Sequence, residues 1–180
     1  MIKNVCVFCS SSNHLSNDYH QAATLMGSLL AKNDFTLIFG GGGAGLMGGI
    51  SRAVLENGGK VYGFMPEFLR VLEGSEIDIE NLEIVETMHI RKQKMHDHAD
   101  AFIVLPGGFG TLDELFETLG WRQLNLHQKP IVIVNTLGYW DPLKKLFDNV
   151  IDNNFASHEH RNYLIFVETP EEAIKYLKSV

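Results

Sequence analysis

The stretch Ile103-Val-Leu-Pro-Gly-Gly-Phe-Gly-Thr-Leu-Asp-Glu114 decides how this chain reads. It opens inside the uninterrupted apolar run Ala101-Phe-Ile-Val-Leu105, the pattern of a strand buried on both faces. Pro106 has no N–H to give a ladder and ends that strand. Gly107, Gly108 and Gly110 permit a tight turn and leave backbone N–H groups uncovered by side chains. A helix is expected from Thr111. A strand, a glycine turn and a helix N-terminus in that order make an anion site, because free N–H groups and the helix dipole converge on one spot. The expected ligand is a phosphate. The spacing is not that of a Walker A loop, since no Lys-Ser or Lys-Thr pair closes it, and the third glycine of a dinucleotide fingerprint is missing.

Glu114 has two readings. Thr111-Leu-Asp-Glu114 fits a capping box, with the threonine capping the helix and Glu114 bonding back to it. The other reading is a carboxylate set beside a phosphate cradle, within reach of a bound sugar. On helix mechanics alone the cap is favoured. Beyond it, Leu112, Leu115, Phe116, Leu119 and Leu126 form an apolar stripe, while Glu114, Glu117, Thr118 and Trp121 share the other side. A tryptophan on a polar face asks for cover, from a neighbouring element or from a second subunit.

Upstream, Met88-His-Ile-Arg-Lys-Gln-Lys-Met95 reads as a helix whose Met88, Met95 and Ala99 line one face. Arg91 and Lys92 flank that line, so they either snorkel to water or meet an anion. Further back, Gly40-Gly-Gly-Gly-Ala-Gly45 follows the strand Thr36–Phe39 and precedes a helix from Leu46 to Asn57. It satisfies G-x-G-x-x-G, but a run this rich in glycine does so cheaply, and it follows the second strand, not the first. Close helix–strand packing and a second ligand-facing loop are the preferred reading. Val5–Phe8 is the first strand, followed by the polar loop Ser10-Ser-Ser-Asn13 and a helix from about Ser16 to Lys32. Pro66 is expected to break the chain after the strand Val61–Phe64. Leu82–Val85, Ile131–Val134 and Leu164–Val167 are further strands. A helix near Pro142–Asp152 should turn Leu143, Leu146, Phe147 and Val150 inward, and Thr169-Pro-Glu-Glu172 starts the last helix with a capping box. Alternating strands and helices imply a doubly wound (Rossmann-like), mainly parallel sheet with helices on both faces. One domain spanning residues 1–180 is expected.

A net charge of −7 argues against a nucleic-acid polymer or an anionic membrane as partner, and leaves room for a small phosphate. No apolar run reaches membrane-spanning length and the start lacks a signal-peptide pattern, so a cytoplasmic location is expected. Cys6 and Cys9 lie three apart on a strand, pointing to opposite faces ~10 Å apart, and are expected as buried free thiols. The eight histidines lack a zinc-type spacing, so neither a metal nor another cofactor is expected.

Pro106-Gly-Gly-Phe-Gly-Thr-Leu-Asp-Glu114 resembles the P-G-G-x-G-T-x-x-E signature of the LOG (LONELY GUY) family, cytokinin riboside 5′-monophosphate phosphoribohydrolases often mislabelled lysine decarboxylases. Val7-Phe-Cys-Ser-Ser11, Gly41-Gly-Gly-Ala-Gly-Leu-Met-Gly48 and Met88-His-Ile-Arg-Lys92 resemble further elements of it, in the same order. The resemblance implies cleavage of the N-glycosidic bond of an N6-substituted adenosine 5′-monophosphate, giving free base and ribose 5-phosphate. It implies Arg91 and Glu114 as the catalytic pair, which reverses the preference for a mere cap. It also implies that Gly107, Gly108, Phe109, Gly110 and Thr111 hold the substrate phosphate, with Lys92 beside them, that Glu73 is a substrate-binding glutamate, and that the protein is a homodimer. Gly120 stands where the family often has a substrate-contacting threonine before the tryptophan. Two other classes remain open. One is a non-catalytic carrier of a nucleotide or a phosphorylated cofactor such as molybdenum cofactor. The other, more remote, is a pyridoxal-phosphate decarboxylase, for which no lysine is obviously placed.

Overall fold

The computed structural model describes residues 1–73 and 79–180. Among these residues, seven strands form one sheet: β1 (Asn4–Phe8), β2 (Thr36–Phe39), β3 (Val61–Pro66), β4 (Asn81–Val85), β5 (Ala101–Val104), β6 (Ile131–Val134) and β7 (Leu164–Val167). Their order is β4-β3-β2-β1-β5-β6-β7, and every pairing is parallel. The expected class is therefore met, with the sheet parallel throughout. Strand β3 runs on through Pro66, which pairs with Val85. The proline closes the strand instead of preceding its end, as a residue that gives no N–H can do at a terminus.

Among the described residues, seven α-helices flank the sheet: α1 (Asn17–Lys32), α2 (Gly45–Glu56), α3 (Glu67–Glu73), α4 (Met88–His98), α5 (Phe109–Gln123), α6 (Asp141–Asp152) and α7 (Pro170–Leu177). Alternate strand residues feed two cores. Val5, Val7, Ile103 and Leu105 pack with α1, α2 and α7, while Cys6, Phe8, Phe102 and Val104 pack with α4, α5 and α6. Cys6 and Cys9 are buried, unpaired, and divided between these two cores. Helices α1 and α2 touch closely at Gly27, where a Cβ would stand 2.4 Å from the carbonyl oxygen of Ile50. Thr169 caps α7 through the Glu172 N–H, at 3.3 Å. The Glu172 carboxylate takes the Glu168 N–H at 2.8 Å, one residue before its expected partner.

Two apolar expectations fail at the second core. Leu126 lies past the end of α5 and is exposed, and Phe116 and Leu146 are also exposed. A stripe read at helical spacing assumes that the helix persists and that something covers it. Here α5 ends at Gln123, and a groove of about 260 Å³ separates α5 from α6.

Sheet order reverses between β1 and β5, since the chain leaves β1 for β2 on one side and reaches β5 on the other. The loops after these strands diverge there and open a crevice at their carboxyl ends. The Ser10 N–H bonds to the Pro106 carbonyl at 3.2 Å, and the Ser10 carbonyl accepts from the Leu46 N–H at 2.9 Å. Three loops are thereby tied around one point.

Candidate active site

The glycine turn is built differently from the expectation in one respect. Helix α5 starts at Phe109, two residues earlier than Thr111, with Gly108 as an N-cap in extended conformation (φ −93°, ψ −153°). Thr111 is thus the third helical residue and caps nothing, so the Thr111–Glu114 capping box does not form. Its side chain folds back on Gly107 instead, where a Cβ would come within 2.1 Å of Thr111 Oγ1. Gly107, Gly108 and Gly110 all have ordinary negative or extended φ, so no left-handed turn demands them. Gly108 and Gly110 face open space, and their contribution is a bare backbone at a helix start.

Arg91 and Glu114 come together from α4 and α5. Arg91 Nη1 lies 3.4 Å from Glu114 Oε1. The residues are only 7% and 9% exposed, so the pair is nearly desolvated. The Arg91 guanidinium is fixed from behind. Its Nε donates to the Phe64 carbonyl at 3.1 Å and its Nη2 to the Gly40 carbonyl at 3.0 Å. Gly40 makes room for it, because a Cβ there would sit 1.7 Å from Nη2. Burial pushes the Glu114 carboxyl up to about 7, with Arg91 opposing and Asp113 adding to the rise. The adjacent Arg91 guanidinium therefore keeps part of this carboxylate ionised near neutrality.

The pair forms the floor of a cavity of about 410 Å³. One wall is the start of α5, from Gly108 to Thr111. The Ser10–Ser12 loop closes another, and Cys9, Met47, Leu69 and Met88 give it an apolar side. Phe109 stands at the rim, 92% exposed. Burial, then the nearby Glu114, push the Cys9 thiol up, so it lines the cavity as a neutral group. A larger cleft, about 460 Å³, lies at the opposite end of the sheet. It is bordered by the end of α1 and by the chain just past α2, and no helix N-terminus among the described residues faces it.

Of the residues expected at the site, Arg91, Glu114, Gly108, Phe109, Gly110 and Thr111 line one cavity. Gly107 lies just behind, under Thr111. Lys92 faces away from that cavity and binds Asp113 at 3.0 Å and Glu117 at 3.1 Å, so it meets carboxylates instead of snorkelling. The Glu73 side chain lies outside the described residues. The apolar wall was missed: Met88 reads as core from its spacing, and nothing in the sequence turns Met47 or Leu69 toward a ligand. The cover over Trp121 is intramolecular at least in part, since its ring meets that of His96 edge-on at 4.5 Å. Burial there depresses the His96 imidazole to about 4, so it packs as a neutral ring. Among the described residues no group of three or more His, Cys, Asp or Glu could hold a metal ion, and no helix is long and apolar enough to cross a membrane.

A doubly wound parallel sheet with a bare helix start and a buried guanidinium–carboxylate pair lining a cavity at its switch point defines a Rossmann-like α/β protein. Within that class the chain belongs to the LOG family: the family's sequence model, described as "Possible lysine decarboxylase", matches residues 47–177. A protein of Oryza sativa subsp. japonica named "Probable cytokinin riboside 5'-monophosphate phosphoribohydrolase" is 39% identical over 176 residues, covering 98% of this chain and 72% of its own. A cytokinin riboside 5'-monophosphate phosphoribohydrolase of Arabidopsis thaliana is 38% identical over 176 residues, covering 98% of this chain and 82% of its own. Among solved structures, TM1055 superposes with a TM-score of 0.78 at 22% identity, covering 99% of this chain and 100% of that one. A molybdenum cofactor binding protein from Rippkaea orientalis superposes with a TM-score of 0.77 at 20% identity, covering 99% and 97%. Both structures share the fold.

Proposed function

We propose that this protein is a phosphoribohydrolase that cleaves the N-glycosidic bond of an N6-substituted adenosine 5′-monophosphate, releasing free base and ribose 5-phosphate. The observation that carries the proposal is the buried Arg91–Glu114 pair on the floor of a cavity whose wall is a bare helix start. The Gly108–Thr111 backbone takes the 5′-phosphate, which sets the ribose over Glu114. Breaking the C1′–N9 bond sends its electron pair to the base and builds positive charge on the ribose. The ionised Glu114 carboxylate stabilises that charge and takes a proton from the attacking water, whose oxygen bonds to C1′. Glu114 then gives that proton up to the departing base, which leaves neutral, and the carboxylate is regenerated. Arg91 holds the carboxylate in place and ionised. Lys92, through Asp113 and Glu117, ties α4 to α5 beside the pair. A carrier role is not favoured, because the relatives near 40% identity are named as phosphoribohydrolases, whereas the molybdenum cofactor binding protein shares 20%.

The test is a product assay. Free base and ribose 5-phosphate should appear from N6-isopentenyladenosine 5′-monophosphate or AMP, and adenosine should be turned over far more slowly. Binding of these nucleotides without release of base would leave a carrier. Equal turnover of AMP and adenosine would remove the phosphate cradle from the mechanism.

A further inference from the structure

An N–H cradle for an anion works only if the carbonyls beside it are turned away, since their lone pairs repel the ligand. The turn before α5 meets this condition residue by residue. The Pro106 carbonyl accepts from the Ser10 N–H at 3.2 Å and the Gly108 carbonyl from the Leu112 N–H at 3.0 Å. The Gly107 carbonyl accepts from the Tyr139 hydroxyl at 2.6 Å. Two of the three donors are main-chain groups that any sequence supplies. The third is a side chain, reaching in from the loop between β6 and α6.

That third bond falls on the freest peptide of the turn. The Gly107–Gly108 unit has a glycine on each side, and its plane rotates with the least steric resistance. In a planar trans peptide the N–H points opposite to the C=O. Holding the Gly107 oxygen outward therefore aims the Gly108 N–H the other way, toward the cavity that Gly108 lines. The Tyr139 ring is itself fixed, edge-on to Trp140 at 4.8 Å and to Tyr19 of α1 at 5.9 Å. Its loop is pinned as well. Asn135 Oδ1 accepts from the Trp140 N–H at 2.7 Å, and Asn135 Nδ2 donates to Asp141 Oδ1 at 2.9 Å. Leu137 and Gly138 take left-handed backbone conformations (φ 56° and 70°) to present the ring. A left-handed leucine persists only where its surroundings hold it.

We propose that Tyr139 is a positioning residue for the phosphate subsite: its hydroxyl locks the Gly107–Gly108 peptide with the N–H turned to the ligand. The proposal rests on the phosphate reading of the site given above. Tyr139 lies outside the cavity lining and acts through the backbone alone. The change Tyr139→Phe keeps both ring contacts and removes the one bond. The probes are ribose 5-phosphate and ribose, titrated calorimetrically against wild type and variant. We expect affinity for ribose 5-phosphate to fall by about five- to tenfold, the effect of losing one hydrogen bond, with ribose binding and melting temperature unchanged. If Tyr139→Phe binds ribose 5-phosphate as wild type does, or weakens both ligands equally, the proposal is overturned and the phosphate reading stands. If wild type does not prefer ribose 5-phosphate over ribose, the phosphate reading fails and takes the proposal with it.

Discussion

Burial changes the acid strength of Glu114. Its carboxyl, held at about 7 by burial against the pull of Arg91, binds a proton more tightly than a solvated glutamate, whose ordinary value is 4.5. Because the folded value is raised, the stability this group contributes is full below 4.5 and is lost as pH rises through 7. Above 7 the ionised, buried carboxylate costs roughly 3 kcal/mol relative to a solvated one. The change Glu114→Gln removes that cost, so the variant should gain melting temperature relative to wild type between pH 5 and pH 8. Base release by the same variant should fall by ~10²-fold or more, since an amide cannot stabilise a developing oxocarbenium ion. In wild type, kcat/KM should rise with pH and level off above about 7, as the proposed role of the ionised form requires. A flat profile, or a variant near wild-type turnover, would take Glu114 out of the chemistry. Gly40→Ala tests the other half of the pair. A methyl placed 1.7 Å from Arg91 Nη2 must expel the guanidinium. Activity should drop to the level of Arg91→Ala while circular dichroism stays native.

At the scale of elements, the cavity depends on how loops are tied to helices. Helix α2 carries Met47 into the cavity wall, and its first turn is pinned to Ser10, but its body is positioned by close packing on α1 at Gly27. A Cβ there would meet a backbone oxygen at 2.4 Å, and backbone cannot swing aside as a side-chain tip can. Gly27→Ala should therefore push the helices apart and cost about 1–3 kcal/mol. Thermal melts read that loss directly. An unchanged melting temperature would mean that α1 shifts freely on the sheet. Element ends were the least legible features of the sequence. The Thr111–Glu114 box has the right spacing, yet Gly108 caps α5 first and leaves Thr111 to pack on Gly107. Capping residues compete over a few tenths of a kcal/mol, and tertiary contacts settle such contests.

At the scale of the molecule, two cores on one sheet should unfold together, and a single cooperative transition is the expected signature of one domain over residues 1–180. We expect a homodimer as well. Phe116 and Leu146 line the groove between α5 and α6, where they leave apolar surface open. Trp121, packed on His96, is half-buried on the neighbouring side of α5. Sedimentation at micromolar concentration should give the mass of two chains. A monomer that retains full activity would refute the dimer.

The sequence by itself determined the alternation of strands and helices apart from α3, the mainly parallel sheet, and the order of its glycine loops, because apolar period and glycine placement are local signals. Its resemblance to the LOG family marked Arg91, Glu114 and the Gly108–Thr111 turn as a set, whereas spacing alone favoured a helix cap for Glu114. Only the tertiary structure decided that the guanidinium and the carboxylate meet, that Lys92 is spent on Asp113 and Glu117, and that Met47 and Leu69 face a ligand space. It also decided that Tyr139 reaches Gly107 across 32 positions of chain. These are contacts between elements brought together at the switch point of the sheet. The reach, direction and desolvation of a side chain there depend on packing, which no local period encodes.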